Sequence, residues 1–570
     1  MTTALFRTCP DTGFKIDLKV DKLIKWNAVT AIVFLMVGGV FGLGVAMTRW
    51  PAVHLLPADW FYLALTAHGV DVLLVWLIFF EMALLYFCSA ILLNSRLAAP
   101  KVAWVQYGMM LVGALITNVA ILQGDSSVMF TSYVPMKAAP AFYLGIILFA
   151  VGALMGCFVF LGTLYIAKKE KTYEGSIPLV TFGALTACII AIFTIGAGAV
   201  ILIPTLLWSM DFINYIDPLI YKVIWWALGH ASQQVNVAAH ISVWYAIAAI
   251  LFGAKPLSEK VSRTAFFLYI LFLQLASAHH LLVDPGLSSE YKIFNTSYAL
   301  YLAVLASMIH GLTVPGAIEA AQRKKGYNKG LFEWLRKAPW GNPVFSGMFL
   351  SLNMFGFLGG ISGVMMGTEQ LNIIIHNTIY VPGHFHGTVV VGTTLAFMAF
   401  SYWLVPTLWQ RELVFPKLAK WQPYLFGLGM GMVSVLMMGA GTLGVPRRLW
   451  DMSYSDAAMP YEFPAAAFLM MGLNGVFALV AGVGAIIFIV QMVGTVMWGK
   501  KKVPAAAAPE TAAAPAAPAR TPEASAVSSY GSAGTMEVPG TFVLALIFLV
   551  TFMLYYFVNW KYLSSVWGLS

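Results

Sequence analysis

Residues 376–387 read HNTIYVPGHFHG, and the spacing of the two histidines at the end of that stretch decides the architecture. His384 and His386 lie inside an apolar run from about 371 to 406, long enough to cross a bilayer as a helix. Residues two apart on a helix point about 200° away from each other. His384 and His386 therefore face opposite sides of one span. They cannot share a metal, but they can hold two cofactors that flank the span. Ionisable groups inside a membrane are costly and mark functional sites by default.

The rest of the chain agrees with a membrane setting. Its 570 residues are 60% hydrophobic and only 10% charged, against about 25% charged in ordinary soluble domains. A water-soluble enzyme is excluded. Twelve spans are read near 26–48, 61–94, 102–123, 141–166, 178–208, 220–253, 263–283, 295–320, 343–367, 371–406, 424–444 and 465–498. Basic residues follow the even spans: Arg96 and Lys101, Lys168, Lys169 and Lys171, Lys255 and Lys260, Arg323 to Lys325, and Lys500 to Lys502. The positive-inside rule then puts the N-terminus in the cytoplasm. The net charge of +9 belongs to these loops and implies no nucleic-acid partner. The start of the chain has no signal-peptide pattern, since Lys15, Lys19, Lys22 and Lys25 lead into a full-length span. The four cysteines (Cys9, Cys88, Cys157, Cys188) have no metal-ligand spacing and are expected to be packing residues.

The fold class is thus all-α, a polytopic helical bundle of twelve core spans in residues 1–498. Residues 499–537 are rich in alanine and proline and are expected to form a flexible linker. Residues 538–570 hold a thirteenth span, Thr541–Val558.

Six of the ten histidines fall at one depth. His68, His230, His384 and His386 lie in the first half of spans that run inward, and His279 and His280 lie at the far end of a span that runs outward. Packing alone does not explain four helices delivering imidazole to one layer. His279 and His280 are adjacent, about 100° apart on a helix, and can converge with His230. Three neutral imidazoles with an open position suit copper or iron. Zinc would also accept three histidines, but gives no reason for the cofactor histidines beside them. Two hemes and one mononuclear metal are the economical expectation.

WWALGH with His230, AHHLLVDPG with His279 and His280, and HNTIYVPGHFHG with His376, His384 and His386 resemble the catalytic subunit of heme-copper oxidases. LTAHGV with His68, KGLFEWLRKAPWGNPVFSG and GVPRRLW extend the resemblance over spans 1 to 12, and the B-type branch is the most similar. The resemblance implies that His68 and His386 are the axial ligands of a low-spin heme, and His384 the proximal ligand of a high-spin heme. It implies that His230, His279 and His280 hold the facing copper or iron. Arg447 and Arg448 would pair with heme propionates, near His376. It also implies a second subunit with a dinuclear copper centre, fed by a soluble cytochrome c or cupredoxin, in a bacterial or archaeal cytoplasmic membrane. The thirteenth span resembles a one-span accessory subunit fused through the linker, or the family's own last helix.

Departures from the family pattern concern the chemistry. Oxygen-reducing members carry a cross-linked tyrosine one turn after the first metal-binding histidine; here that residue is Gln234. The C-type alternative, a tyrosine about six residues before the histidine pair, is Leu273 here, with Tyr269 further back. Inward proton-path positions are Ile241, Ala306, Ile309 and Leu312, although Tyr245 remains, with His240 and His310 deeper in spans 6 and 8. The family's carboxylate before the HNT histidine is Asn372. Reducing dioxygen takes four electrons, of which the metals supply three and the tyrosine the fourth. Coupling two molecules of nitric oxide takes two electrons and two protons and breaks no O–O bond. The departures therefore favour nitric oxide reduction, with Gln234 facing the site, no inward proton path and protons taken from the outer side. Dioxygen reduction by a cytochrome c oxidase of the B-type is the alternative. A transporter with structural histidines would be colourless, and an assembly homologue would have lost ligands.

Overall fold

The computed structural model describes residues 6–273, 275–454, 458, 461–502 and 537–566. Most of the expected linker therefore lies outside the described residues. A short hairpin, β1 (Phe6–Thr8) against β2 (Lys15–Asp17), precedes the bundle. Then come α1 (Leu18–Arg49), α2 (Ala58–Ile91), α3 (Pro100–Leu122), α4 (Pro140–Lys169), α5 (Leu179–Ser209) and α6 (Pro218–Phe252). They are followed by α7 (Glu259–Leu268), α8 (Ser289–Lys324), α9 (Pro343–Met366), α10 (Tyr380–Trp409), α11 (Pro416–Thr442) and α12 (Ala465–Trp498). The last is α13 (Pro539–Val566). All but α7 are long and apolar enough to cross a membrane.

Local chemistry sets many of the ends. The Asp17 carboxylate accepts from Lys19 N and caps α1, and Asp217 accepts from Leu219 N and Ile220 N to cap α6. Proline opens α3, α4, α6 and α9, where its missing N–H costs nothing. Gly253, at φ 64°, ends α6 in the left-handed conformation.

Ion pairs and hydrogen bonds tie the loops together at each end of the bundle. At the basic end, Arg96 pairs with Glu170 at 2.8 Å and Arg263 donates to Ile177 O. At the opposite end, Arg49 donates to Arg447 O, Arg448 to Thr131 Oγ1, and Lys222 pairs with Asp284.

Span 7 departs from the expected straight helix over 263–283. After α7 the backbone loosens into a π turn, Tyr269–Leu273, and His279 and His280 sit on a 3-10 turn, Ala278–His280. Side chains replace the missing helical hydrogen bonds. Asn295 Oδ1 accepts from Ser277 N at 3.0 Å, and Asn372 Nδ2 donates to His279 O at 3.2 Å. Hydropathy registers none of this. Further π stretches follow His68 in α2 (Asp71–Val75), break α9 (Phe355–Gly360) and begin at His386 in α10 (His386–Thr394). Such widened turns re-aim side chains and recur at functional sites.

Glu319, fully buried near the end of α8, accepts from Gly540 N at 3.0 Å and Thr541 N at 2.6 Å, capping α13 from another helix. Arg323 donates to the same carboxylate at 2.7 Å.

Candidate metal centre

His230 from α6 meets His279 and His280 from the turn after α7. One ring nitrogen of each lies within 4.8 Å of the others, and all three side chains are buried. His230 Nδ1 stands 3.3 Å from His280 Nε2. The Trp226 indole covers His280 face to face, with ring centroids 3.5 Å apart and planes at 3°, and its Nε1–H donates to Tyr133 Oη at 2.6 Å. The Gln234 amide lies 3.2 Å from His230 Nε2, the nitrogen other than the one facing His280. Gln234 thus both lines the site and fixes the His230 ring.

His384 faces this triad across a cavity of about 90 Å³. Its Nδ1 is held by Ser362 Oγ at 2.8 Å. Gly359, Gly360 and Gly363 of α9 line the same space, and a Cβ on Gly363 would come within 3.1 Å of the His384 ring. Ser307 and Thr393 lie on its lining too. No tyrosine is among the described residues that line it.

His386 opens instead onto a larger cavity of about 340 Å³, together with His68. Their ring centroids are 6.5 Å apart with planes 22° from parallel. Two imidazoles bound at about 2 Å to opposite faces of one metal have centroids roughly 6 Å apart. The Nδ1 of His68 is 2.8 Å from Gly38 O, and that of His386 is 2.7 Å from Pro382 O. Metal-bound histidines characteristically secure the second nitrogen in this way. A Cβ on Gly42 would meet the His68 ring at 2.5 Å, so glycine is what admits the imidazole. Arg49, Arg447 and Arg448 line the same cavity. Arg448 lies over the Tyr133 ring at 4.8 Å. Burial lowers its guanidinium to about 10; Arg447 pushes the same way and Tyr133 opposes. A two-sided imidazole clamp in an apolar slot with guanidinium groups on its lining fits a heme with acidic substituents. The buried triad fits a copper or iron ion.

The structure therefore brings His230, His279 and His280 together, sets His384 opposite them and pairs His386 with His68. His376 joins Lys222, Asp284 and Arg447 on a small polar cavity that also touches His279 and His280. Three further residues serve the site without a reading in the sequence. Arg49 is a buried charge at the end of span 1 away from the basic loops, a signal the charge pattern did offer. Gly42 lies in a glycine-rich part of span 1, and Ser362, which orients His384, leaves no mark in the sequence. Asn372, read in the sequence only as standing where the family has a carboxylate, pins the histidine turn.

In the inner half, beside the aliphatic positions, polar side chains meet one another. Tyr245 Oη is 3.1 Å from Ser262 Oγ and 3.0 Å from His310 Nδ1, and Tyr269 Oη is 2.8 Å from Ser307 Oγ.

Comparison with known proteins agrees with this geometry. The family profile described as "Cytochrome C and Quinol oxidase polypeptide I" matches residues 22–473. The chain is 30% identical over 495 residues to cytochrome c oxidase subunit 1 of Thermus thermophilus, covering 84% of this chain and 85% of the relative. It is 21% identical to quinol oxidase subunit 1 of Bacillus subtilis, covering 78% and 68%. The cryo-EM structure of a heme-copper terminal oxidase dimer superposes with a TM-score of 0.80 at 27% identity, covering 85% of each chain.

Proposed function

The chain belongs to the cytochrome c and quinol oxidase polypeptide I family, and on that premise we propose that this heme-copper catalytic subunit reduces nitric oxide to nitrous oxide. One observation carries the choice of substrate. The cavity between His384 and the triad has no tyrosine on its described lining, and Gln234 stands beside His230. Four-electron cleavage of dioxygen lacks its usual internal donor there. Two nitric oxide molecules, two electrons and two protons give nitrous oxide and water, and nothing further is needed from the protein.

When bound, the high-spin heme and the triad metal supply the two electrons. The chain's own residues position and enclose them. In this reading His384 is the proximal ligand, oriented by Ser362. His230, His279 and His280 hold the copper or iron, with Gln234 fixing the His230 ring and Trp226 covering His280. His68 and His386 hold the low-spin heme, and Arg447, Arg448 and His376 serve the propionates, joined by Arg49. The Gln234 amide is also near enough to the cavity to hydrogen-bond to the substrate's oxygen.

A second subunit with a dinuclear copper centre and a soluble cytochrome c or cupredoxin completes the electron supply. The complex is placed in a bacterial or archaeal cytoplasmic membrane with the basic end inside. Residues 1–498 form the catalytic domain, and α13 acts as a fused accessory subunit docked through Glu319. Dioxygen reduction is the second reading, favoured by the names of the relatives. The test is turnover of the purified complex with each gas under the same donor. Faster consumption of nitric oxide with stoichiometric nitrous oxide supports the proposal; faster reduction of dioxygen to water overturns it.

A further inference from the structure

We infer that α13 braces the wall of the metal-centre cavity behind His384, with Phe548 and Tyr555 as positioning residues for that imidazole. The inference rests on the proposed reading of His384 as the proximal ligand of the high-spin heme.

The wall is weak by composition. Ser362, which holds His384 Nδ1 at 2.8 Å, stands in a glycine-rich part of α9. Gly356, Gly359, Gly360 and Gly363 fill four of the eight positions from 356 to 363, and glycine destabilises a helix interior. The backbone there widens into the π stretch Phe355–Gly360. Ser362 Oγ donates back to Leu358 O and is 3.0 Å from Gly359 O, so the hydroxyl follows any movement of that stretch. Gly359, Gly360 and Gly363 line the metal-centre cavity. Support for this segment must come from its other side.

That side is covered by α13. Its partly buried residues Leu544, Phe548, Phe552 and Tyr555 recur at helical spacing, whereas Leu546, Val550, Met553, Leu554 and Phe557 are exposed, as a face towards lipid would be. The Phe548 ring meets that of Phe357 edge to face, with centroids 5.0 Å apart and planes at 77°. A Cβ on Gly356 would come within 3.3 Å of the same ring, so Phe548 closes directly on the α9 backbone. Phe552, Tyr555 and Tyr556 continue the strip over Ile361, Met365 and Leu371. Ile361 adjoins Ser362 in sequence, and Met365 lies about one turn beyond it.

A second contact reaches α10 itself. The Tyr555 hydroxyl is hydrogen-bonded to that of Tyr380, the first residue of α10 and one turn before His384. Tyr380 is 1% exposed, and its hydroxyl donates to Met365 Sδ at 3.6 Å, a weak acceptor. Its oxygen is thereby left to accept from Tyr555. A tyrosine that only anchors a span sits at the level of the headgroups; this one turns its hydroxyl into the bundle. Glu319 does not account for the contact, because it caps α13 at Thr541, about 21 Å away by helix rise.

Neither Phe548 nor Tyr555 lines the cavity. They act through Ser362 on one side and the first turn of α10 on the other, and between them these two supports set the His384 ring.

The experiment reads the bond to His384 rather than turnover, and it uses the whole complex. Resonance Raman spectra of the reduced protein give the iron–imidazole stretch of the high-spin heme. Transfer to apomyoglobin gives the rate at which that heme is lost. Tyr555→Phe and Phe548→Ala should each shift or broaden the stretch and speed the loss roughly fivefold, about the worth of one hydrogen bond. The low-spin Soret band should stay unchanged, and Phe548→Leu should restore most of both readings. Met553→Ala, on the exposed face, is the control and should match the wild type. If Phe548→Ala sheds α13, the bundle left behind must show the same shift. A wild-type stretch and loss rate in the Tyr555 and Phe548 variants, or in a bundle stripped of α13, overturns the inference alone. His384→Ala tests the premise separately: a stretch that survives there removes His384 as the proximal ligand, and the inference with it.

Discussion

Gly42→Ala is expected to damage low-spin heme binding by a steric route that can be worked out in advance. A Cβ at Gly42 would lie 2.5 Å from both Cε1 and Nδ1 of His68. Carbon atoms in good contact sit about 3.5–4.0 Å apart, so the ring must retreat by roughly 1 Å. The His68 Nδ1 to Gly38 O hydrogen bond, now 2.8 Å, would then stretch past the range in which such bonds hold. Overpacking of this kind costs about 1–3 kcal/mol, and the better helix propensity of alanine returns up to about 1 kcal/mol. A net loss of about 1–2 kcal/mol shifts the ligation equilibrium roughly 5–30-fold. Reduced-minus-oxidised spectra at room temperature should show loss of the bis-imidazole signature, with the high-spin heme retained. Gly196→Ala on α5, where nothing lies within 4 Å of the added Cβ, is the matched control and should leave both spectra alone. An unaltered low-spin spectrum in Gly42→Ala, at unchanged thermal stability, would refute the placement of His68 against α1.

Three further outcomes follow from the same geometry. His68→Ala should abolish the low-spin heme while the high-spin heme stays bound; loss of both from a folded protein counts against the pairing with His386. X-ray absorption at the non-heme metal should give three imidazole nitrogens at about 2.0–2.2 Å, falling to two in His230→Ala; an unchanged shell in that variant would remove His230 from the site. Glu319→Ala strips Arg323 of its buried partner and α13 of its cap, a change worth about 3–5 kcal/mol. After cleavage at a protease site placed within residues 503–536, α13 should stay with the wild-type bundle on gel filtration and leave the variant; equal retention in both would refute the docking role.

Histidine spacing made much of this molecule legible beforehand, and the reason is geometric. A span has few ways to orient two residues, so His384 and His386 declared two cavities before any fold was known. Apolar runs likewise located every span but one. Span 7 escaped because its end is held by Asn295 and Asn372, which reach it from other parts of the chain. No periodicity within span 7 records such partners. The hydrogen-bond partners in the inner half of α8 were hidden for a related reason. Comparing positions one by one found aliphatic residues where hydroxyls were expected, but hydrogen bonds form between neighbours in space. Tyr269 reaches Ser307 through a π turn that ideal helical geometry would not allow for.

In the proposed reading the two-residue spacing also sets the path by which electrons cross from one cavity to the other. Along a helix two residues advance only about 3 Å, so the slot beside His386 and the cavity beside His384 lie almost level. Gln233 and Val389 line both, which makes the shared wall one residue thick at those points. Phe385, between the two histidines, lines the larger cavity, with its ring 5.9 Å from that of His384 and 6.3 Å from that of His280. Trp226 borders the same cavity and stacks on His280. If the larger cavity holds the low-spin heme as proposed, electrons delivered there meet aromatic or ligand groups at each step towards the triad. One residue inserted at Phe385 would turn His386 by about 100° and carry it out of line with His68. One removed would turn it by the same angle the other way. Only the HFH spacing keeps both imidazoles in place with a single side chain between the cavities.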